Sequence, residues 1–267
     1  MTVDVSWWPP SASGDDTTVV TASYNTRELT ALLLWSLHRV LSGERPDVVV
    51  VDNGSTDGSA ELLSEAEAAG LCRVILNAEN VHHGPALNQA FSWLAEQPSR
   101  PRWIWILDSD VVVARGEALS APVALARHGA AVVGELHWDP WQEVDRFELY
   151  SLLVEPARIW QPSIGAFDDS GDPSWALLRS AAAAGVPHAE FPFTADGYVI
   201  HRGRSTLAVV AETGEEANPL YEWALDHNAP HFGGVPGADK TYDAILRAFR
   251  DDVPDVQANS LIDACRR

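Results

Sequence analysis

The stretch Trp103 to Val113, WIWILDSDVVV, decides how the rest of the chain is read. Trp103 to Leu107 carry no charge, and an uninterrupted apolar run of this length suits a strand buried on both faces of a sheet. Asp108 and Asp110 follow at once. An unpartnered carboxylate against apolar walls is costly. Two of them one residue apart also repel, which raises one pKa unless a cation lies between them. The strand is therefore expected to end at Leu107, with both acids at its carboxyl end. There they would hold a divalent metal through hard oxygen ligands. The competing reading is an ordinary strand-end turn with aspartate caps.

Upstream of this stretch, strands and helices alternate. Thr17 to Ser23 (TTVVTAS) is β-branched and reads as a strand. Asn25 with Glu28 three places on reads as a capping box for a helix running to about Leu41. Val48 to Val51 is a second buried strand, closed by Asp52 in the polar turn DNGSTDGS. Ser59 to Ala69 reads as a helix, Cys72 to Leu76 as a strand, and Pro85 to Leu94 as a third helix. The order β-α-β-α-β-α-β predicts a mostly parallel sheet with right-handed crossovers, flanked by helices. In such sheets ligands bind at the carboxyl ends of the strands, where Asp52 and the DSD both fall.

Downstream the pattern is less regular. A helix is expected within Glu117 to His128, with Pro122 near its start or forcing a break. Strands are expected at Ala131 to Leu136, Phe147 to Val154, Glu155 to Trp160 and Tyr198 to His201. Helices are expected at Ser174 to Ala184, capped by Gly185, at Glu215 to His227 and at Asp239 to Phe249. The last two are joined by a Gly-Pro loop. Residues 1–16 are rich in Pro, Ser and Gly and read as a flexible arm. Residues 17–113 then form one half of a single domain, and residues 114–267 the other.

Composition narrows the partners. With 18 basic and 38 acidic residues the net charge is −20, which argues against nucleic acid or an anionic membrane surface. Two cysteines, Cys72 and Cys265, make a disulfide framework unlikely and favour a reducing compartment. No apolar run reaches the length of a membrane span, and the first residues lack a signal-peptide pattern. A soluble, cytoplasmic protein with no integral membrane association is the expectation.

Four segments in order carry a resemblance: TASYN (Thr21 to Asn25), VVDNGSTDGS (Val50 to Ser59), Asn77 to Asn88, and LDSD (Leu107 to Asp110). Together they resemble the nucleotide-sugar-binding half of the family 2 glycosyltransferases of the GT-A fold, the last being the family's DxD motif. The resemblance is clear from Thr18 to about Val113 and fainter to about Ser205. It implies that Ala22, Tyr24 and Asp52 contact the base and ribose of a nucleoside-diphosphate sugar, with Asn25 and Asp57 shaping the turns. It places Gly84, Ala86 and Asn88 near the nucleotide, where a helix start also offers free N–H groups. The other reading of Asn88 is an exposed polar residue. Leu87 stands where relatives often carry a basic residue, so a phosphate contact made in some of them is missing. Asp110 is implied as a direct ligand of Mn²⁺ or Mg²⁺, with Asp108 on the ribose or a metal-bound water.

The resemblance also implies a histidine completing the metal site, and His201 in GYVIHRG takes that place. The competing reading is a buried histidine satisfied by backbone. His82, His83, His137, His188, His227 and His231 are weaker candidates; the adjacent His82 and His83 would point different ways. An inverting transfer needs a carboxylate to take the acceptor proton, worth roughly 10²–10⁴-fold in rate. The family's base precedes a helix carrying Arg and then Gly. Phe167 to Gly185 looks similar, with Arg179 and Gly185 in those places and Asp172 as the base. Pro173 follows Asp172 where relatives have an acidic pair, so Asp169 stays an alternative. Asp172 also reads as a plain N-cap with Pro173 at the first helical position. Trp138, Trp141, Trp160 and Trp175 are candidate acceptor platforms or core residues.

Other DxD enzymes compete. A haloacid-dehalogenase-type phosphotransferase carries its DxD on the first strand, whereas three β-α units precede this one. A sugar-1-phosphate nucleotidyltransferase would need a Gly-rich basic first loop, which TASYNTRE is not. A catalytically dead sugar-binding module would not need the DSD, His201 and an acidic loop together. No P-loop or GxGxxG supports ATP or NAD chemistry. The expectation is a metal-dependent inverting glycosyltransferase acting on a soluble acceptor such as a natural product, a peptide or a glycan precursor. Neither the membrane spans nor the QxxRW motif of the family's processive synthases is present.

Overall fold

The computed structural model describes residues 5–9, 16–41, 43–139, 144–168, 173–201, 203, 208 and 242–252. The first half keeps the expected alternation: β1 (Thr17–Ser23), α1 (Arg27–Val40), β2 (Asp47–Asp52), α2 (Ser59–Ala68), β3 (Arg73–Leu76), α3 (His83–Glu96) and β4 (Trp103–Leu107). Then come β5 (Val111–Val113), α4 (Ser120–Arg127), β6 (Val132–Asp139), β7 (Val144–Val154), α5 (Pro156–Ile159), α6 (Trp175–Ala183), β8 (His188–Glu190), β9 (Val199–His201) and α7 (Tyr242–Asp252).

Seven strands form one sheet in the order β3-β2-β1-β4-β7-β6-β8. β1 to β4 are mutually parallel, β7 is antiparallel to β4 and β6, and β8 is parallel to β6, so β7 alone runs against the rest. The mostly parallel α/β sheet expected from the sequence is the one observed. β4 lies at its centre, and all five of its residues are 0% exposed. Trp103, Trp105 and Leu107 enter the core shared with α1, α2 and α4. Ile104 and Ile106 enter the one shared with α3, α5 and α6. Each such burial is worth roughly 1.5–3 kcal/mol. A slip placing Asp108 in this strand would forfeit that and bury a charge, so the acids stand just beyond its end.

Several local expectations are corrected. Glu155 to Trp160 is not a strand: Pro156 starts α5 at a position where its missing N–H costs nothing. The Asn25–Glu28 capping box does not form. Thr26 is the N-cap of α1, and Asn25 lies outside it with a left-handed φ of 50°. Pro122 neither delays nor breaks α4, because it sits in the first turn, where no donor is needed. Residues 5–9 are docked rather than loose. Trp8 is buried, its N–H donates to the Trp160 carbonyl (3.2 Å), and the Trp160 indole donates to the Ser6 carbonyl (3.1 Å). The helix expected at 215–227 and the Gly-Pro loop after it lie outside the described residues. α7 packs Ile245 and Leu246 against Leu29 and Leu32 of α1, and the Tyr242 hydroxyl donates to Glu28 (3.0 Å).

Candidate active site

Three of the predicted residues meet at one point. Asp108 follows β4, Asp110 precedes β5, and the Val111 N–H donates to the Asp108 carbonyl (3.2 Å) to close the turn between them. β5 pairs antiparallel with β9, placing His201 opposite Val111. His201 Nε2 thereby lies 3.3 Å from Asp110 Oδ1 and 3.9 Å from Asp108 Oδ2. One ligand atom from each of the three residues falls within 4.8 Å of the others. Burial raises the Asp108 carboxyl above the usual carboxylate range; Asp110 adds to this, while His83 and His201 oppose it. Burial would lower the His201 pKa, but Asp110, Asp108 and Glu148 outweigh it and raise it. Two hard carboxylate oxygens and an imidazole nitrogen, with Asp108 Oδ1 buried and without a hydrogen bond, fit a divalent ion such as Mn²⁺ or Mg²⁺.

The central residue of the DSD was not singled out in the sequence. Ser109 is buried, and its hydroxyl meets that of Thr26 (3.1 Å). Thr26 also meets Ser23 and Thr30 (3.2 Å each). This buried hydroxyl cluster ties the turn to β1 and α1. His83 was only a weak candidate. Its Nε2 faces Asp108 Oδ1 at 3.7 Å, on the oxygen that His201 does not face. Its neighbour His82 is the N-cap of α3, at φ 67° and ψ 170°. That region is nearly exclusive to glycine and costs about 1–3 kcal/mol. Its carbonyl is held there by Asn53 Nδ2 and the Ala86 N–H, each at 3.2 Å.

The predicted donor side lies at the ends of β1 and β2. Ala22 pairs with Val51, and Tyr24 is half-buried beyond the strand. Asp52 is buried; its Oδ1 accepts the Ser55 N–H (3.0 Å), and its Oδ2 has no hydrogen bond. Asn25 accepts the Thr56 N–H (2.7 Å) and gives its own N–H to Ser55 Oγ (2.9 Å). Asp57 accepts the Ser59 N–H (3.0 Å) and, from across the gap, the Arg27 N–H at the start of α1 (2.9 Å). The two turns therefore cap each other.

The start of α3 supports a loop. A Cβ on Gly84 would overlap the Asp168 carbonyl oxygen, so only glycine lets that backbone cross here. Ala86 is fully buried. Asn88 is buried, which overturns its reading as an exposed residue. Its amide clamps Phe167 at both ends, donating to the carbonyl (2.9 Å) and accepting the N–H (3.1 Å). Asp169 and Asp172 lie outside the described residues. The residues bounding them are joined, since the Asp168 N–H donates to the Pro173 carbonyl (3.1 Å). Pro173 is not the first residue of α6, whose N-cap is Ser174. Of the candidate tryptophans, Trp160 is core, Trp138 is exposed on β6, and Trp175 lies under the Arg179 guanidinium (5.3 Å).

Residues 18–182 match the model of Glycosyl transferase family 2. Among solved structures, the chain is similar to the mannosyltransferase PcManGT of Pyrobaculum calidifontis, solved with GDP-Man and Mn²⁺. That likeness has 18% identity, covers 100% of this chain and 89% of the other, and has a TM-score of 0.52. The chain is also similar to residues 1–349 of TarS from S. aureus, at 15% identity, with 92% and 74% covered and a TM-score of 0.52. At these identities the likeness shows the fold. No curated protein matches the chain.

Proposed function

The chain belongs to glycosyl transferase family 2 and is a glycosyltransferase, and from that premise we propose that it is a metal-dependent, inverting enzyme acting on a soluble acceptor. The observation that carries the metal is the convergence of Asp108, Asp110 and His201 at the carboxyl end of the central strand. A divalent ion held there would offset the charge that grows on the leaving nucleoside diphosphate. The neighbour solved with GDP-Man and Mn²⁺ supports a nucleoside-diphosphate sugar as donor. Asp52, with one oxygen uncommitted, and Tyr24 and Ala22 beside it would hold base and ribose. Asn25 and Asp57 would hold the turns that shape that pocket.

In this reading Gly84, Ala86 and Asn88 act by seating the backbone at Phe167 and Asp168. Asp172, or else Asp169, takes the proton from the acceptor hydroxyl as it attacks the anomeric carbon. Residues 17–113 form the donor half, and residues 114–267 supply the acceptor side. No helix among the described residues is long and apolar enough to cross a membrane; in this reading the acceptor is diffusible and the enzyme cytoplasmic.

The test is a thermal-shift panel of UDP, GDP, dTDP and CDP with and without Mn²⁺. A ligand at a hundred times its Kd adds about 2.7 kcal/mol. One nucleotide should raise the midpoint in a Mn²⁺-dependent way, and Asp110→Ala should abolish the dependence. An unchanged Mn²⁺ dependence in that variant sinks the metal site. Asp172→Asn should keep the nucleotide shift and lose turnover by about 10²–10⁴-fold. Near-normal turnover moves the base to Asp169.

A further inference from the structure

We propose that Tyr150 and Glu135 are positioning residues that hold His201 in the orientation a divalent ion requires, an inference that rests on the metal reading above. Tyr150 touches the site at two points and is anchored at a third. Its ring stacks on the His201 imidazole, with centroids 4.4 Å apart and planes 25° apart. Its carbonyl accepts the Asp108 N–H (3.1 Å), and its hydroxyl donates to Glu135 Oε2 (2.8 Å). One residue thus joins the aspartate end of the site to the histidine end.

Glu135 fixes both routes to His201. Besides Tyr150, its Oε2 accepts the Thr194 N–H (2.7 Å) and the Thr194 hydroxyl (2.8 Å), and its Oε1 accepts the Ala195 N–H (3.2 Å). Thr194 and Ala195 belong to the turn that leads into β9. The same carboxylate therefore holds the ring that His201 stacks on and the segment that delivers His201.

The backbone is built for this. Gly134 faces Leu152 but Leu136 faces Phe147, so Glu148 to Ser151 of β7 stand opposite Glu135 alone. Such irregularities re-aim side chains that regular alternation would point elsewhere. A buried carboxylate with four donors is also an expensive way to fill a core position. An apolar residue would serve there if packing were the only requirement.

Two readouts test the proposal, neither of them turnover. The order of the His201 imidazole is measured by NMR relaxation in the metal-free protein. Mn²⁺ affinity is measured from the EPR signal of the free ion. Tyr150→Leu should mobilise the ring and weaken Mn²⁺ binding by about 10–100-fold, the usual range for groups that orient a metal ligand. Glu135→Gln, which keeps the side chain's shape, should weaken it by about 10-fold. Tyr150→Phe keeps the stack and should restore an ordered ring and most of the affinity. Unchanged Mn²⁺ affinity in folded Tyr150→Leu and Glu135→Gln overturns the positioning role and leaves the metal site standing. A wild-type protein that binds no Mn²⁺ overturns the metal reading, and this one with it, before any substitution is made.

Discussion

Glu135 and Asp108 are two carboxylates in buried surroundings whose pKa values move in opposite directions. For Glu135, burial pushes the pKa up. Donors from Thr194, Tyr150 and Ala195 outweigh it and leave the net value below the ordinary one. For Asp108, burial wins and the value rises. The difference is the supply of donors: Glu135 has four, whereas Asp108 Oδ1 has none and faces a histidine. A group with a depressed folded pKa contributes stability that is complete above its unfolded value, near 4.3, and is lost as pH falls through the folded value. Glu135 should therefore contribute to the acid limb of the stability curve. Glu135→Gln should lower the thermal midpoint at pH 7 and narrow the gap to wild type as pH falls below about 4. A gap that is the same at pH 7 and pH 3 would remove Glu135 from the acid transition.

At the scale of elements, legibility followed how much each one depends on its own residues. β4 was readable because five apolar residues in a row leave no solvent face, and α1 to α3 because their apolar stripes recur at helical spacing. β5 and β8 were not read as strands, since three residues each carry no period and both exist by pairing, β5 with β9 and β8 with β6. α5 was misread because Ile159 and Trp160 look strand-like, whereas Pro156 sets the helical start. The Asn25–Glu28 capping box failed for a related reason: the partner of Asn25 is Thr56, 31 residues away. The candidate site shows the same split. The aspartates announced themselves by chemistry, and His201 was reached through a family resemblance. Tyr150 and Glu135 carried no local signal, because their meaning comes from a register shift between β6 and β7. Gly84 was placed near a nucleotide, and what the fold shows there is the close crossing of α3 by the Asp168 backbone.

For the whole molecule the dominant electrostatic fact is the excess of 20 negative charges. The described ion pairs between side chains of fixed charge, Arg27–Glu28, Arg102–Glu155, Arg146–Glu148 and Arg158–Glu155, are partly exposed, and two of them share Glu155. Such pairs are each worth about 0–1 kcal/mol. Self-repulsion of the compact state opposes them. Which effect wins depends on range. A chain of 267 residues has a radius of gyration of about 18 Å. The Debye length is about 30 Å at 0.01 M salt and about 8 Å at 0.15 M. At low salt every charge feels the whole excess; at 0.15 M it feels only near neighbours, so the long-range repulsion is screened more than the close ion pairs are. Added NaCl should therefore raise the thermal midpoint, by about 2–4 °C for each kcal/mol of repulsion relieved. Mn²⁺ at matched ionic strength should raise it further, and only that extra part should vanish in Asp110→Ala. A midpoint that falls with NaCl would mean that the ion pairs outweigh the repulsion. An extra Mn²⁺ effect that survives in Asp110→Ala would mean that the ion is screening the acidic surface rather than filling the site beside His201.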